Sequence, residues 1–202
     1  MSSELTVYYD YLCPYNYRMA FFLEGIKKES GVIIDWKAFS LEQQNSNKGP
    51  EFRIWEHPDL PSYGLLALAA SKAAKNQGED LFVKFHLSVF EARHKDRIDI
   101  SDHEELFEIA GKSGLDLTLF EEDIMKSETF MAVGKDHEEA RTCYNVFGVP
   151  TLVFEGNKAA YVKLESIPKS NEEQISLFEL LSEITADRPY LLEIKRPEKH
   201  LL

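Results

Sequence analysis

The sequence predicts an α/β fold in which two short units containing β-strands are separated by a long helical insertion. Three observations support this class: a β-α-β pattern at residues 5–39, helical periodicity from 62 to about 141, and a return to strand periodicity after Pro150. The chain has 202 residues. Because one domain typically has roughly 150 residues, a single domain with a sizeable insertion fits this length.

The first unit begins with a strand that leads directly into a helix. Residues 5–9 are β-branched and aromatic, and the Cys13-Pro14 pair follows shortly after them. Proline suits the first helical turn, and apolar residues then recur at helical spacing over 14–30. Residues 32–39 are apolar on both sides of most of the run. We therefore expect a second strand that is parallel to the first and covered on both faces.

The middle of the chain is predicted to be an insertion of four or five helices. Residues 40–61 are polar and interrupted by prolines, which places a domain boundary there. Two capping-box patterns, beginning at Ser101 and Thr118, predict helix starts inside the insertion. The predicted division is 4–45 and 146–186 for the domain that contains the sheet, 46–145 for the helical insertion, and 187–202 for a C-terminal tail.

The last unit is predicted to be a β-hairpin followed by a helix. Residues 151–154 and 159–164 have strand character and flank a turn. A third capping box begins at Ser170 and precedes an apolar stripe at helical spacing, which predicts a helix over about 171–185. The tail that follows carries an apolar patch that suits packing on the domain or on a partner.

The charge balance argues against nucleic acids and membranes as partners. The chain has 23 basic and 35 acidic residues and a formal net charge of -12, and such a surface repels phosphate backbones and anionic lipids. The first residues do not form a secretion signal, and no run of about eighteen apolar residues occurs, so we expect a cytoplasmic protein. Histidines and cysteines match no metal-site spacing, so we expect no metal and no tightly bound cofactor.

Cys13 is the main candidate for chemistry, because its sulfur lies at a predicted helix start. Free backbone amides and the helix dipole favour the thiolate there, so we expect a lowered pKa and a nucleophilic sulfur. The alternative is that Cys13 is a small buried hydrophobic residue. The second cysteine, Cys143, falls on the last insertion helix, and we expect it to pack there rather than to form a bridge with Cys13.

Two motifs at opposite ends of the fold resemble the DsbA family of thioredoxin-fold oxidoreductases. They are Tyr9-Asp10-Tyr11-Leu12-Cys13-Pro14-Tyr15-Asn16-Tyr17 and Val146-Phe147-Gly148-Val149-Pro150-Thr151. The resemblance covers residues 5 to about 185 and implies a thioredoxin fold with a helical insertion. The cytoplasmic members of FrnE type, the kappa-class glutathione transferases and the 2-hydroxychromene-2-carboxylate isomerases share this layout.

The resemblance implies that Cys13, Pro14 and Asn16 form the catalytic motif. A dithiol enzyme of this family has a second cysteine at the position of Asn16, which resolves the mixed disulfide. This chain lacks that thiol, so a cycle through Cys13 alone needs glutathione or a partner thiol as the resolving group.

The resemblance also implies a substrate-docking loop with a cis peptide bond before Pro150. In the family this loop presents the backbone at the position of Val149 to a peptide or to glutathione. Tyr11 and Tyr15 are further predicted substrate-binding residues, since their hydroxyl groups can form hydrogen bonds with a ligand, and the alternative for Tyr15 is packing within the helix. Thr151, directly after Pro150, completes the predicted set.

Three functions follow from these motifs and remain open at the level of sequence. The first is monothiol exchange with a thiol or disulfide substrate, either a peptide or a small molecule, and with glutathione as a candidate co-substrate. The second is a glutathione-dependent transferase or isomerase, although that branch commonly has serine where Cys13 stands. The third is a binding module without turnover. A homodimer is compatible with each.

Overall fold

In a computed structural model, which describes residues 4–196, the chain forms a mixed sheet with helices packed against it. Within these residues the strand order is β2-β1-β3-β4. The strands are β1 (Glu4–Tyr9), β2 (Ile33–Ala38), β3 (Thr151–Phe154) and β4 (Lys158–Tyr161). Strand β1 pairs with β2 in parallel and with β3 antiparallel, and β3 pairs antiparallel with β4.

One helix lies between β1 and β2, one follows β4, and the others lie in the insertion between β2 and β3. They are α1 (Pro14–Ser30), α2 (Leu41–Gln44), α3 (Leu65–Lys75), α4 (Glu79–Glu91), α5 (His103–Ser113), α6 (Leu117–Ile124), α7 (Ser127–Tyr144) and α8 (Asn171–Asp187). A 3-10 turn at Ile54–Glu56 and a π-helical segment at Ala92–Asp96 complete the insertion. The predicted β-α-β unit, the helical insertion and the final β-β-α unit are therefore confirmed. None of the helices within residues 4–196 has the length and apolar content needed to cross a bilayer.

The prediction that β2 is covered on both faces is wrong. Ile34 and its neighbours on one face are buried, whereas Ile33 and Asp35 on the other face are exposed. Helix α7 reaches this second face only near the end of the strand, where Lys37 forms an ion pair with Glu139 at 2.7 Å. At the start of β2 this face is open to solvent, with Ile33 55% exposed, although Lys75 of α3 reaches Asp35 at 2.7 Å.

Two of the three predicted helix caps are displaced by one or two residues. Helices α5 and α6 begin after Asp102 and Asp116, whose carboxylates accept hydrogen bonds from amides of the first turn. The predicted starts at Ser101 and Thr118 are wrong, because an aspartate near each hydroxyl residue provides the better acceptor. The third cap is confirmed, since Ser170 accepts a hydrogen bond from the Glu173 amide.

One hydrophobic core joins the sheet to the insertion. Val7 and Trp36 of the sheet belong to the same buried cluster as Phe82 and Phe90 of α4. A second, smaller cluster covers the opposite face of the sheet and contains Cys13. The division into two domains remains a prediction. In the tail, apolar side chains at 190–196 are exposed, and the remainder, 197–202, lies outside the described residues.

Gly134 in α7 allows the 3-10 turn to pack directly on that helix. A Cβ atom at Gly134 would overlap the indole ring of Trp55, whereas one at Gly111 in α5 would lie 3.6 Å from the nearest atom of Leu117. The first approach is too close for any real side chain, and the second is an ordinary contact.

We expect Gly134→Ala to destabilise the protein by about 1–3 kcal/mol, because the Trp55 ring must move. Gly111→Ala is the matched control and should stabilise the protein by about 0.5–1 kcal/mol through its helix propensity. Urea unfolding of both variants measures the difference. Equal midpoints would contradict the close packing of Trp55 on α7.

Candidate active site

The turn between β1 and α1 places Cys13 at the N-cap of the helix. The Cys13 amide donates a hydrogen bond to the Asp10 carbonyl at 3.1 Å, and Pro14 occupies the first helical turn. The side chain points into the smaller core cluster and is only 7% exposed. Its sulfur donates a hydrogen bond to the carbonyl oxygen of Val149 at 3.3 Å. The two sequence motifs therefore meet at this sulfur.

Burial raises the pKa of the Cys13 thiol above its ordinary value. The backbone amides of Asn16 and Tyr15 lower it in part, the charge of Asp10 raises it further, and the charge of Lys163 lowers it. The prediction of a lowered pKa is wrong for this structure, because desolvation outweighs the helix terminus. The hydrogen bond to Val149 acts in the same direction, since only the neutral thiol can donate it.

The loop that faces the sulfur is held by its own hydrogen bonds. The Val149–Pro150 peptide bond is cis. The Thr151 hydroxyl donates to the Gly148 carbonyl at 2.7 Å, and the Val162 amide donates to the Pro150 carbonyl at 3.1 Å. Thr151 is buried, so in this structure its hydroxyl supports the loop instead of facing a ligand, contrary to the sequence prediction.

Tyr11 lies in the core and offers no surface to a substrate, contrary to the sequence prediction. Its side chain is fully buried, and its hydroxyl forms a hydrogen bond with Nδ1 of His86 at 2.8 Å. Its carbonyl pairs with Nε2 of His94 at 2.8 Å. Tyr11 therefore ties the active-site turn to α4 and to the π-helical segment.

The remaining motif residues differ in their exposure. Pro14 is exposed and Tyr15 is half-buried, so both can meet a ligand. Asn16 is buried, and its amide nitrogen donates to the Asp10 carbonyl at 3.2 Å. Among the described residues, its Oδ1 atom has no hydrogen-bond partner. Asn16 thus stabilises the turn through its hydrogen bond to Asp10. Cys13 is a buried free thiol, whereas Cys143 is an exposed one, so the expectation that Cys143 packs on its helix is wrong.

Asp10 is a component of the site that the sequence analysis missed. Its carboxylate accepts hydrogen bonds from the Leu12 amide at 2.9 Å and from the Leu41 amide at 2.7 Å. It thereby joins the active-site turn to the start of α2. An aspartate whose side chain bonds an amide two residues later is a known turn signal, so this first contact could have been predicted.

We expect Asp10 to make the stability of the protein depend on pH. Burial raises the pKa of Asp10 to about 6 from an ordinary value of 3.8. The native state therefore binds more protons between these values, so the stabilisation is present below about pH 4 and is lost as the pH rises through 6. A shift of this size corresponds to about 3 kcal/mol.

The measurement is the free energy of unfolding of the wild type and of Asp10→Asn from pH 4 to 7. Because the substituted side chain cannot titrate, the wild type should lose about 2–3 kcal/mol relative to the variant across this range. The hydrogen bonds from the Leu12 and Leu41 amides favour the charged carboxylate, and their pH dependence is already contained in the raised pKa of Asp10. A difference that does not change with pH would refute the raised pKa.

We also expect Tyr11→Phe to be more harmful than Tyr9→Phe. Both tyrosines are fully buried, and the Tyr9 hydroxyl donates to Oγ of Ser71 at 2.7 Å. Removing the Tyr11 hydroxyl leaves His86 without its described partner, at a cost of about 1–3 kcal/mol. Removing the Tyr9 hydroxyl costs less, because Ser71 keeps its bond to the Leu68 carbonyl at 2.6 Å. Thermal unfolding compares the two, and equal losses would contradict the role assigned to Tyr11.

The chain is similar to known proteins over nearly its full length. Residues 4–170 match the family described as DSBA-like thioredoxin domain. An uncharacterized protein of Mycobacterium tuberculosis is 21% identical over 194 residues, which cover 95% of this chain and 80% of that protein.

Solved structures with the same fold include oxidoreductases and an isomerase. A probable DsbA oxidoreductase of Streptomyces coelicolor aligns with a TM-score of 0.63 and 16% identity over 98% of this chain and 94% of the other. A 2-hydroxychromene-2-carboxylate isomerase aligns with a TM-score of 0.63 and 19% identity over 94% of this chain and 100% of the other. These likenesses confirm the predicted thioredoxin fold and its helical insertion. The chain belongs to the DSBA-like thioredoxin domain family.

Proposed function

We propose that the protein is a DsbA-like thiol-disulfide oxidoreductase that exchanges disulfides through Cys13 alone. The observation that supports this most directly is the contact between the Cys13 sulfur and the Val149 carbonyl at 3.3 Å. The contact puts the thiol beside backbone that can pair with an extended substrate. Cys13 is also the N-cap residue of α1. Pro14 and Tyr15 form the outer part of the proposed site.

Substrate binding itself activates the thiol in this proposal. An amide of the substrate that pairs with the Val149 carbonyl takes the acceptor away from Cys13. The neutral thiol then loses its hydrogen bond, while the amides of Asn16 and Tyr15 and the charge of Lys163 still favour the thiolate. The pKa of Cys13 should therefore fall when the substrate docks.

The exchange step needs no outside oxidant. The Cys13 thiol gives its proton to solvent, and the thiolate attacks one sulfur of the substrate disulfide. A new bond forms between Cys13 and that sulfur, the substrate bond breaks, and the released thiolate takes up a proton. Asn16 cannot resolve this mixed disulfide. We propose glutathione for that step, and the cytoplasmic setting expected from the sequence would supply it.

A second function, a glutathione-dependent transferase or isomerase, is favoured by the state of the thiol. Cys13 is buried and donates a hydrogen bond, and burial raises its pKa. A neutral donor of this kind could orient the sulfur of a bound glutathione thiolate without forming a covalent bond. The two functions differ in whether Cys13 becomes covalently modified.

Mass spectrometry of the protein treated with oxidised glutathione distinguishes them. The experiment uses Cys143→Ser throughout, because Cys143 is exposed and would also react. For the oxidoreductase we expect one glutathione on Cys13 and none when Cys13→Ser is added. Adding Asn16→Cys instead should release the bound glutathione, because a second thiol then stands where dithiol enzymes have theirs.

The outcomes separate the alternatives. A protein that binds reduced glutathione in calorimetry but never forms the mixed disulfide favours the transferase or isomerase and refutes the exchange mechanism. A protein that does neither favours a binding module without turnover.

A further inference from the structure

Two cations from different parts of the chain converge on one aromatic ring beside the active-site cysteine. Tyr15 follows Cys13 by two residues. The Lys163 Nζ atom lies 4.9 Å from the centre of its ring, and the Arg18 Cζ atom lies 5.5 Å from it. Arg18 also donates to the Leu164 carbonyl at 3.4 Å. The ring of Tyr15 and the Leu164 carbonyl therefore hold both positive groups beside Tyr15, in the outer part of the proposed site, which we call its entrance.

The same entrance has an aromatic wall next to the cis-proline loop. Phe147 and Tyr161 pack with their ring centres 5.1 Å apart. Phe147 is nonetheless 65% exposed. The Lys163 Nζ atom lies 5.3 Å from the centre of the Tyr161 ring. Lys163 thus joins the wall to Tyr15, and apolar and positive surface lie side by side.

The positive charge at this entrance contrasts with the rest of the protein. The chain has a formal net charge of -12. Within residues 4–196, neither Arg18 nor Lys163 forms a salt bridge, whereas Lys37, for example, pairs with Glu139 at 2.7 Å. The charges of Lys163 and Cys13 also affect each other, since Lys163 lowers the pKa of the thiol. A negative group bound here would meet two cations that have no carboxylate partner within residues 4–196.

We propose that the site selects small disulfides and thiols that carry a carboxylate near the sulfur. Arg18 and Lys163 would receive the carboxylate, and the aromatic side chains would cover the adjacent part of the molecule. Both cations contact the ring of Tyr15, so the positive surface is small and fits a single carboxylate better than a long acidic stretch of peptide. This inference rests on the proposed function of Cys13 and specifies its substrate class.

The test compares how fast Cys13 reacts with three small disulfides of different charge. They are 3,3′-dithiodipropionate, which is a dianion, cystamine, which is a dication, and hydroxyethyl disulfide, which is neutral. Rates are measured by mass spectrometry at about 0.1 M salt in the Cys143→Ser background. We expect the dianion to react faster than the dication. The ratio of these rates should fall about tenfold in Lys163→Glu and in Arg18→Glu, because each change reverses a nearby charge.

The control variant is Lys28→Glu, which alters the net charge by the same amount at the far end of α1. Lys28 is exposed, and its distance along the helix is about twice the screening length at 0.1 M salt, so the rate ratio should not change. The neutral disulfide shows whether each variant keeps a working site. Lys163→Gln provides a milder change that should reduce the ratio by a smaller factor.

The results separate failure of this inference from failure of the proposed function. If Cys13 reacts with the neutral disulfide but the ratio is the same in Lys163→Glu, Arg18→Glu and Lys28→Glu, the carboxylate selection is overturned and the exchange function stands. If Cys13 reacts with none of the three disulfides in the wild type, the exchange function fails and the inference falls with it.

Discussion

The antiparallel pairing of β1 with β3 is the interaction on which the candidate site depends. Tyr8 is paired with Thr151 in this register. The C-terminal end of β1, which leads to Cys13, and the N-terminal end of β3, which follows Val149, therefore lie at the same end of the sheet. Two segments that are separated by the whole helical insertion meet there at 3.3 Å. Strand β4 pairs with β3 in a hairpin, so Tyr161 and the nearby Lys163 lie at this end of the sheet as well. A slip of one residue in this register would reverse the faces of the strand and separate the two motifs.

Several polar groups around the sulfur form hydrogen bonds with neighbouring elements. Asp10 accepts amides from the active-site turn and from the start of α2, and Tyr11 is held by histidines of the insertion. Buried polar groups are costly when they are left unpaired. These contacts hold the turn in place, and the proposed function requires the sulfur to change partners. The insertion thus contributes to the site by fixing the turn, and in the proposed function the exposed residues around the turn contact the ligand.

The central part of the site could be predicted because its chemistry is local. The Cys13-Pro14 junction and the Val149-Pro150-Thr151 segment can each be recognised from a few consecutive residues. Lys163 and Arg18 were missed because their roles depend on partners that are distant in the chain, as does the contact of Asp10 with Leu41. The roles predicted for Tyr11 and Thr151 failed for the same reason, since a hydroxyl group near a reactive residue in sequence can equally point into the core. The direction of the Cys13 pKa shift required the burial of the sulfur, which no local pattern contains.

The sequence by itself determined the order of the elements, the fold class and the position of the candidate cysteine. Periodicity, proline and glycine positions and capping residues are local, and local propensities place helices and strands to within a few residues. Only the tertiary structure decided which side chains face the sulfur, which faces of the sheet are covered and how strongly the thiol is desolvated. These properties depend on contacts between segments far apart in the chain, and the free energies of burial and of charge interaction depend on that environment.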